Sequence, residues 1–172
     1  MGLFDWLLGT DPTDKWPLQN LAPLEYDIDH HRLCGIRLGA KVDAFAKLGR
    51  AEDRPAARKG RLVYYTRGFE VHTEQGHVMD AYLYFTDDWG PAGSGARPFA
   101  GKLAIAGRDV RWTARTTEAE IVNTLGEPTE RKQYDDGEVL LRYMRGSLMY
   151  EVTITDRGTL EAIEVTAEEK VE

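Results

Sequence analysis

The sequence predicts an α+β fold in which two helix-plus-antiparallel-meander repeats form one curved sheet with the helices on one face. Two observations lead to this prediction. Leu-Gly pairs that would end a helix, Leu48-Gly49 and Leu125-Gly126, stand 77 residues apart. A hairpin pattern precedes each pair, and β-rich segments separated by turns follow it. With 172 residues, 42% of them hydrophobic, the chain can bury a core around such an arrangement.

The first repeat is predicted for residues 24–85. Alternating apolar residues indicate a hairpin with its tip at 29–31. Apolar residues then recur at a spacing of three over 42–48, which indicates a helix with one buried face, and Gly49 stands where a left-handed residue would end it. The meander that follows is predicted for the segments 62–65, 69–72 and 81–85.

The second repeat is predicted for residues 99–166. Its hairpin has a turn near Gly107, and its helix starts at a capping box, Thr117-Glu118-Ala119-Glu120, and ends at Gly126. The following strands are predicted at 139–143, 148–155 and 160–165, with an Asp-Arg-Gly turn before the last one. A Gly/Pro-rich loop, residues 86–98, connects the two repeats.

Charge and composition exclude several classes of function. The sequence contains 22 Lys and Arg and 29 Asp and Glu, so its net charge is −7, and it has no run of basic residues. Such a chain repels phosphate backbones, and we expect no nucleic-acid partner. No stretch approaches the roughly 20 apolar residues that span a bilayer, so no membrane association is expected. The single cysteine, Cys34, and the absence of a cationic leader predict a cytoplasmic protein.

The two ends of the chain are predicted to lie outside the repeats. Residues 1–23 contain an apolar cluster, Leu3-Phe4-Asp5-Trp6-Leu7-Leu8, and a linker. The negative charge of Asp5 would not favour anionic lipid, so we expect this segment to dock on the core or to join two copies of the chain as a homo-oligomer. Residues 167–172 are predicted to be a solvated acidic tail.

The second half resembles a known bacterial repeat. Thr117, Ile121, Leu125-Gly126-Glu127-Pro128, Tyr143 and the hairpin around Gly158 are similar to the unit of the SmpA/OmlA (BamE) and β-lactamase-inhibitor-protein group. In that group a helix packs on a small antiparallel sheet, sometimes in tandem, and the proteins bind other proteins. The hairpin at 99–107 also resembles uncharacterised bacterial cytosolic proteins, some of them immunity proteins. The resemblance therefore implies a protein-binding role.

The sequence contains no strong catalytic or metal-binding pattern. The chain has four histidines and one cysteine, and no zinc-type ligand spacing. Cys34 lies among apolar residues, which favours a buried, unreactive thiol. The glycines of segment 90–95 are not followed by a helix, so they do not form a phosphate loop. We therefore predict no catalytic residue, no metal and no cofactor, and lean towards a protein that is not an enzyme.

The placement of aromatic residues gives the leading functional hypothesis. On a strand over 81–85, Tyr82 and Tyr84 would lie on the face opposite to the one that packs on the core. Trp89 follows at the start of the loop. Aromatic side chains on an open sheet face are typical of protein-binding surfaces. The hypothesis is a binding module of an immunity- or inhibitor-like kind that uses Tyr82, Tyr84 and Trp89, with its acidic surface steering a basic partner.

Two alternatives remain open at this stage. In the first, the protein is a small-ligand-binding or enzymatic domain with a cleft between the two repeats, and His72, His77 and Asp80 are its polar residues. In the second, it is a structural subunit that self-associates through the N-terminal apolar segment.

Overall fold

In the described residues, 10–18, 23–146 and 148–167 of a computed structural model, twelve strands form two β-sheets. The strands are β1 (Glu25–Asp27), β2 (Arg32–Leu33), β3 (Ile36–Arg37), β4 (Arg61–Tyr64), β5 (Phe69–Glu74), β6 (His77–Tyr84), β7 (Lys102–Ile105), β8 (Arg108–Val110), β9 (Glu130–Gln133), β10 (Val139–Arg145), β11 (Leu148–Ile154) and β12 (Leu160–Ala167). The helical elements are the 3₁₀ helices η1 (Val42–Leu48) and η2 (Tyr65–Arg67) and the α-helices α1 (Arg54–Ala57) and α2 (Glu118–Leu125).

The larger sheet has seven strands in the order β4-β5-β6-β12-β11-β10-β9. Alternating apolar residues and tight turns make β4 to β6 one antiparallel meander and β9 to β12 another. The two meanders join edge to edge where β6 pairs with β12, with Tyr82 opposite Glu164 and Leu83 opposite Ile163. Strand β12, the last of the described strands, therefore pairs with a strand of the first half.

The smaller sheet has five strands in the order β3-β2-β1-β7-β8. Strands β1 to β3 come from the first half and the β7–β8 hairpin comes from the second half. The halves meet here in a parallel pair, β1 with β7, in which Tyr26 lies beside Leu103. Each sheet thus takes strands from both halves of the sequence.

One hydrophobic core includes inward-facing residues of both sheets. Tyr26, Leu33 and Leu103 contribute to it from the smaller sheet, and all three are at most 1% exposed. Phe69 and Leu83 contribute from the larger sheet, and both are fully buried. The second layer over the larger sheet is consequently a sheet, which buries the apolar face that the alternation of the strands creates.

The predicted α+β fold, with helices on one face of a single curved sheet, is wrong. The described residues are mostly β and contain few helical residues, arranged as two sheets. The physical reason is size. The longest α-helix of the described residues, α2, has eight residues and is about 12 Å long. A seven-stranded sheet is about 29 Å wide from its first to its last strand. Helices this short cannot cover the larger sheet. The strands β1 to β3 and the β7–β8 hairpin pair with each other instead, and the sheet that they form covers it.

The first predicted helix forms as a different helix type. Residues 42–48 make η1, a 3₁₀ helix that buries Phe45 and Leu48 and ends at Gly49 with φ 81°. A spacing of three at every step matches the 3.0 residues per turn of a 3₁₀ helix, in which side chains at i and i+3 eclipse. An α-helix alternates spacings of three and four. The spacing of the apolar residues over 42–48 therefore already indicated a 3₁₀ helix rather than an α-helix.

The second predicted helix is confirmed as α2. Thr117 accepts from the backbone N–H of Glu120, and the Glu120 carboxylate accepts from the backbone N–H of Thr117 at 2.8 Å, which completes the capping box. Ile121 is the buried residue of this helix, and Gly126 ends it with φ 88°. The predicted alternation on β6 is also confirmed, because Ala81 and Leu83 are fully buried whereas Tyr82 and Tyr84 are partly exposed.

Several predictions concern parts of the chain outside the described residues. The apolar cluster at residues 3–8 and the end of the acidic tail, 168–172, belong to them, so the expected self-association through the N-terminal segment stays a prediction. Among the helices of the described residues, none is both long enough and apolar enough to cross a membrane.

Candidate functional site

Polar and aromatic side chains gather on the side of the larger sheet that faces away from the core. Glu70 and His72 on β5 lie opposite Tyr82 and Asp80 on β6, and Tyr82 in turn lies opposite Glu164 on β12. Because strand residues alternate between faces, these side chains share one surface. We call it the outer-face cluster, and its members are Arg61, Glu70, His72, Asp80, Tyr82, Tyr84, Trp89 and Glu164.

Glu70 is a buried carboxylate that is fully engaged. The residue is 3% exposed. Arg61 Nη2 donates to its Oε1 and Oε2 at 3.1 and 2.8 Å, and His72 Nε2 lies 2.8 Å from Oε1. Burial raises the pKa of Glu70, but the hydrogen bonds from His72 and Arg61 outweigh it and leave the pKa below its ordinary value. Glu70 is therefore a charged anchor for Arg61 and His72.

Tyr82 connects the two halves of the protein through Glu164. Its hydroxyl donates to Glu164 Oε1 at 2.6 Å, and the His72 ring lies over the tyrosine ring with centroids 4.5 Å apart. Burial, followed by the nearby Glu164 carboxylate, raises the pKa of Tyr82 well above its ordinary value. The phenol thus stays protonated and acts as a hydrogen-bond donor.

Asp80 and Glu164 are half-buried carboxylates on the outer face. Neither forms an ion pair with Lys or Arg within the part of the chain that the structure describes. Burial raises the pKa of Asp80, and the imidazole of His72 directly opposite offsets this only in part. Burial also raises the pKa of Glu164, against the Tyr82 hydrogen bond, and the Glu151 carboxylate directly opposite raises it further. Negative charge is thus poorly compensated at this point of the face.

Trp89 is held against the edge of the same face. Its ring stacks on Tyr84 at 4.1 Å and 5°, and it lies 5.3 Å from the ring of Tyr65. The indole N–H donates to the Arg97 carbonyl at 3.2 Å, which folds the loop back over the sheet. The Tyr65 hydroxyl donates to Asp53 Oδ2 at 2.8 Å. Tyr65, Tyr84 and Trp89 therefore form a continuous aromatic surface beside the carboxylates.

The structure brings most of the predicted site residues together. Tyr84 stacks on Trp89, and Tyr82 lies two residues away on the same strand, beside His72. From the alternative set, His72 and Asp80 are opposite each other in register. His77 lies at the β5–β6 turn, where its Nδ1 is 3.2 Å from the Gln75 carbonyl. At the junction of the two halves these residues lie on the surface of a continuous sheet.

Sequence reasoning missed Tyr65, Glu70 and Glu164. The alternation of β5 could have placed Glu70 on the outer face with His72. Glu164 joins the cluster through the pairing of β6 with β12, a contact between residues 82 positions apart, and no pattern in the sequence signals it. Among the described residues, no group of three or more His, Cys, Asp and Glu is placed to hold a metal ion.

Comparisons with known proteins give one structural likeness. No protein-family model matches the chain, and no curated protein matches it. Among solved structures, the chain is similar to a DUF4309 family protein, YjgB, from Bacillus subtilis subsp. subtilis strain 168, with a TM-score of 0.46 and 13% identity. The alignment covers 75% of this chain and 79% of that one. A similarity this distant identifies neither a family nor an activity for the chain.

Proposed function

We propose that the protein is a binding module that takes a basic segment of another protein on its outer-face cluster. The observation that carries the proposal is the pair of half-buried carboxylates, Asp80 and Glu164, that lack a cationic partner among the described residues. A Lys or Arg side chain from a partner would supply the missing charge and stabilise both carboxylates. An immunity- or inhibitor-like role is the form of this proposal that the sequence resemblance suggests.

The aromatic residues support the same proposal. Tyr82, Tyr84 and Trp89 are partly exposed, and Tyr84 and Trp89 are held by stacking and Tyr82 by its hydrogen bond to Glu164. Rigid aromatic side chains bury much area at small entropic cost, and their ring faces attract cations. The net charge of −7 favours encounter with a basic partner at low ionic strength.

The test is affinity capture from lysate of the host at low and high salt, with identification of the retained proteins. Wild type is compared with Asp80→Asn/Glu164→Gln, in which the shapes stay nearly unchanged and two charges are lost. The matched control is Glu127→Gln/Asp135→Asn, which removes the same charge from exposed positions outside the cluster. The thermal stability of all three proteins is measured first, and the binding data are corrected for any difference in stability.

We expect one basic partner that wild type and the control retain and that the cluster variant binds at least about tenfold more weakly. Retention of that partner by the cluster variant would show that the binding surface is elsewhere. If wild type retains no partner at either salt concentration, the protein-binding proposal is wrong.

A further inference from the structure

A second surface, separate from the outer-face cluster, has the features of a small-ligand site. It is a groove of about 810 Å³ formed by the chain after β6, the segment that enters β7 and the segment that leaves β8. Its floor consists of Phe85, Phe99 and Trp112, which are 1%, 4% and 7% exposed. A groove of this volume, with an aromatic floor, falls in the range of small-molecule sites.

Backbone hydrogen bonds hold the walls of the groove. The N–H of Phe99 donates to the Tyr84 carbonyl at 2.6 Å, and the N–H of Phe85 donates to the Glu161 carbonyl at 2.7 Å. The rings of Phe85 and Phe99 meet edge to face at 6.0 Å. On the other wall, the N–H of Thr113 donates to Thr116 Oγ1 at 2.9 Å. The aromatic floor is therefore positioned before any ligand arrives.

The rim of the groove is cationic. Arg97, Arg111 and Arg115 line it, all three are exposed, and none of the described residues that line the groove is acidic. None of these arginines forms an ion pair within the described part of the chain. Three uncompensated guanidinium groups above an apolar floor stand out in a chain with a net charge of −7. Guanidinium groups bind carboxylates in bidentate geometry.

A neighbouring pocket limits how much negative charge a ligand can carry. This pocket, of about 520 Å³, shares Ala114 with the groove and is lined by five carboxylates and one arginine. The carboxylates belong to Asp88, Asp136, Glu138, Asp156 and Glu161. A polyanion that extended beyond the arginines would meet this acidic wall, whereas a single carboxylate would not.

We propose that this groove binds a small monocarboxylate with an apolar body. The carboxylate pairs with the rim arginines, and the apolar body lies on Phe85, Phe99 and Trp112. The proposal is separate from the protein-binding function of the outer-face cluster, because none of the side chains proposed to bind the ligand belongs to that cluster. The two surfaces meet at backbone carbonyls, that of Tyr84, which accepts from Phe99, and that of Arg97, which accepts from Trp89.

Binding is tested by calorimetry and by NMR observation of the Trp112 indole signal in the full chain. The probes are decanoate and 1-naphthoate, which represent aliphatic and aromatic bodies, and 1-decanol, which matches decanoate but carries no charge. The groove variant is Arg111→Gln/Arg115→Gln. The control is Arg58→Gln/Lys59→Gln, which removes the same charge from exposed positions at the end of α1.

We expect at least one of the two carboxylates to bind wild type and the control and to shift the Trp112 signal. The groove variant should bind it about tenfold or more weakly, and 1-decanol should bind wild type correspondingly weakly. The proposal is overturned if neither carboxylate binds at millimolar concentration, if 1-decanol binds as tightly as decanoate, or if the groove variant keeps its affinity.

Discussion

The hydroxyl of Tyr150 on β11 donates to the backbone carbonyl of Ile28, just after β1, and so joins the two sheets inside the core. The same oxygen contacts Nδ1 of His31, a buried residue with φ 56°. Since the hydroxyl proton is used on Ile28, the partners assign the ring proton of His31 to Nδ1, which donates to the phenol oxygen. Burial, and then the charge of Arg37, lowers the pKa of His31, in agreement with a neutral ring.

Removal of this hydroxyl should destabilise the protein. Tyr150→Phe leaves the Ile28 carbonyl and His31 without their shared partner, and we expect a loss of about 1–3 kcal/mol in the free energy of unfolding. Tyr143→Phe is the matched control, because Tyr143 lies directly opposite Tyr150 and its buried hydroxyl has no partner among the described residues. Denaturant unfolding measures both variants. Equal effects would mean that the cross-sheet hydrogen bond contributes nothing.

Glu70→Gln should destabilise the protein at neutral pH. The substitution removes the charge that holds Arg61 and His72, and we expect a loss of about 1–3 kcal/mol. The pKa of Glu70 is lower in the folded protein than its ordinary 4.5. Its stabilisation is therefore complete above that value and is lost as the pH falls through the folded pKa. Urea unfolding at pH 7 and in acid measures the difference in the free energy of unfolding between wild type and variant. We expect this difference to become smaller in acid. A difference that does not change with pH would contradict the charge-based explanation.

Glu164→Gln should have the opposite effect. The pKa of Glu164 is raised in the folded protein, so its charged form is disfavoured there, and this cost is present at neutral pH and disappears as the pH falls through the folded pKa. A glutamine oxygen can still accept from Tyr82. We expect stabilisation of up to about 1 kcal/mol at pH 7, reduced by solvent screening, and none in acid. Destabilisation at pH 7, measured by thermal unfolding, would show that the carboxylate stabilises the sheet.

Gly68→Ala should destabilise the folded protein much more than Gly107→Ala. Both glycines have positive φ, 74° and 69°. A Cβ at Gly68 would lie 2.2 Å from the backbone nitrogen of Phe99, whereas a Cβ at Gly107 would meet nothing within 4 Å. We expect Gly107→Ala to lower the free energy of unfolding by about 1 kcal/mol, because alanine disfavours the left-handed backbone conformation. Gly68→Ala should lower the free energy of unfolding by at least about 2 kcal/mol more, because the backbone of Pro98 and Phe99, in the segment that leads into β7, must move.

Chemical denaturation of the two alanine variants separates these contributions. Their difference measures how closely the backbone at 98–99 must approach Gly68, since the left-handed conformation is common to both positions. Equal losses in the free energy of unfolding would mean that the backbone at 98–99 moves away from Gly68 at no cost in stability.

Local features were predictable because they depend on neighbours in the chain. The capping box at Thr117, the glycine ends of η1 and α2 and the alternation on β6 all involve residues within a few positions of one another. The site was predictable to the same extent. Tyr82 and Tyr84 were placed on the outer face by alternation, and Trp89 stacks on Tyr84, from which only five positions separate it in the chain.

By itself, the sequence determined the positions of most strands, the helix start at Thr117 and the acidic character of the chain. The tertiary structure alone decided that the two hairpins pair in a parallel β1–β7 contact, that β6 pairs with β12, and that Glu164 joins Tyr82. These are contacts between segments far apart in the chain, and an edge strand can in principle pair with any other edge. Which edges meet is settled by the burial of both apolar faces in one core, a property of the whole chain.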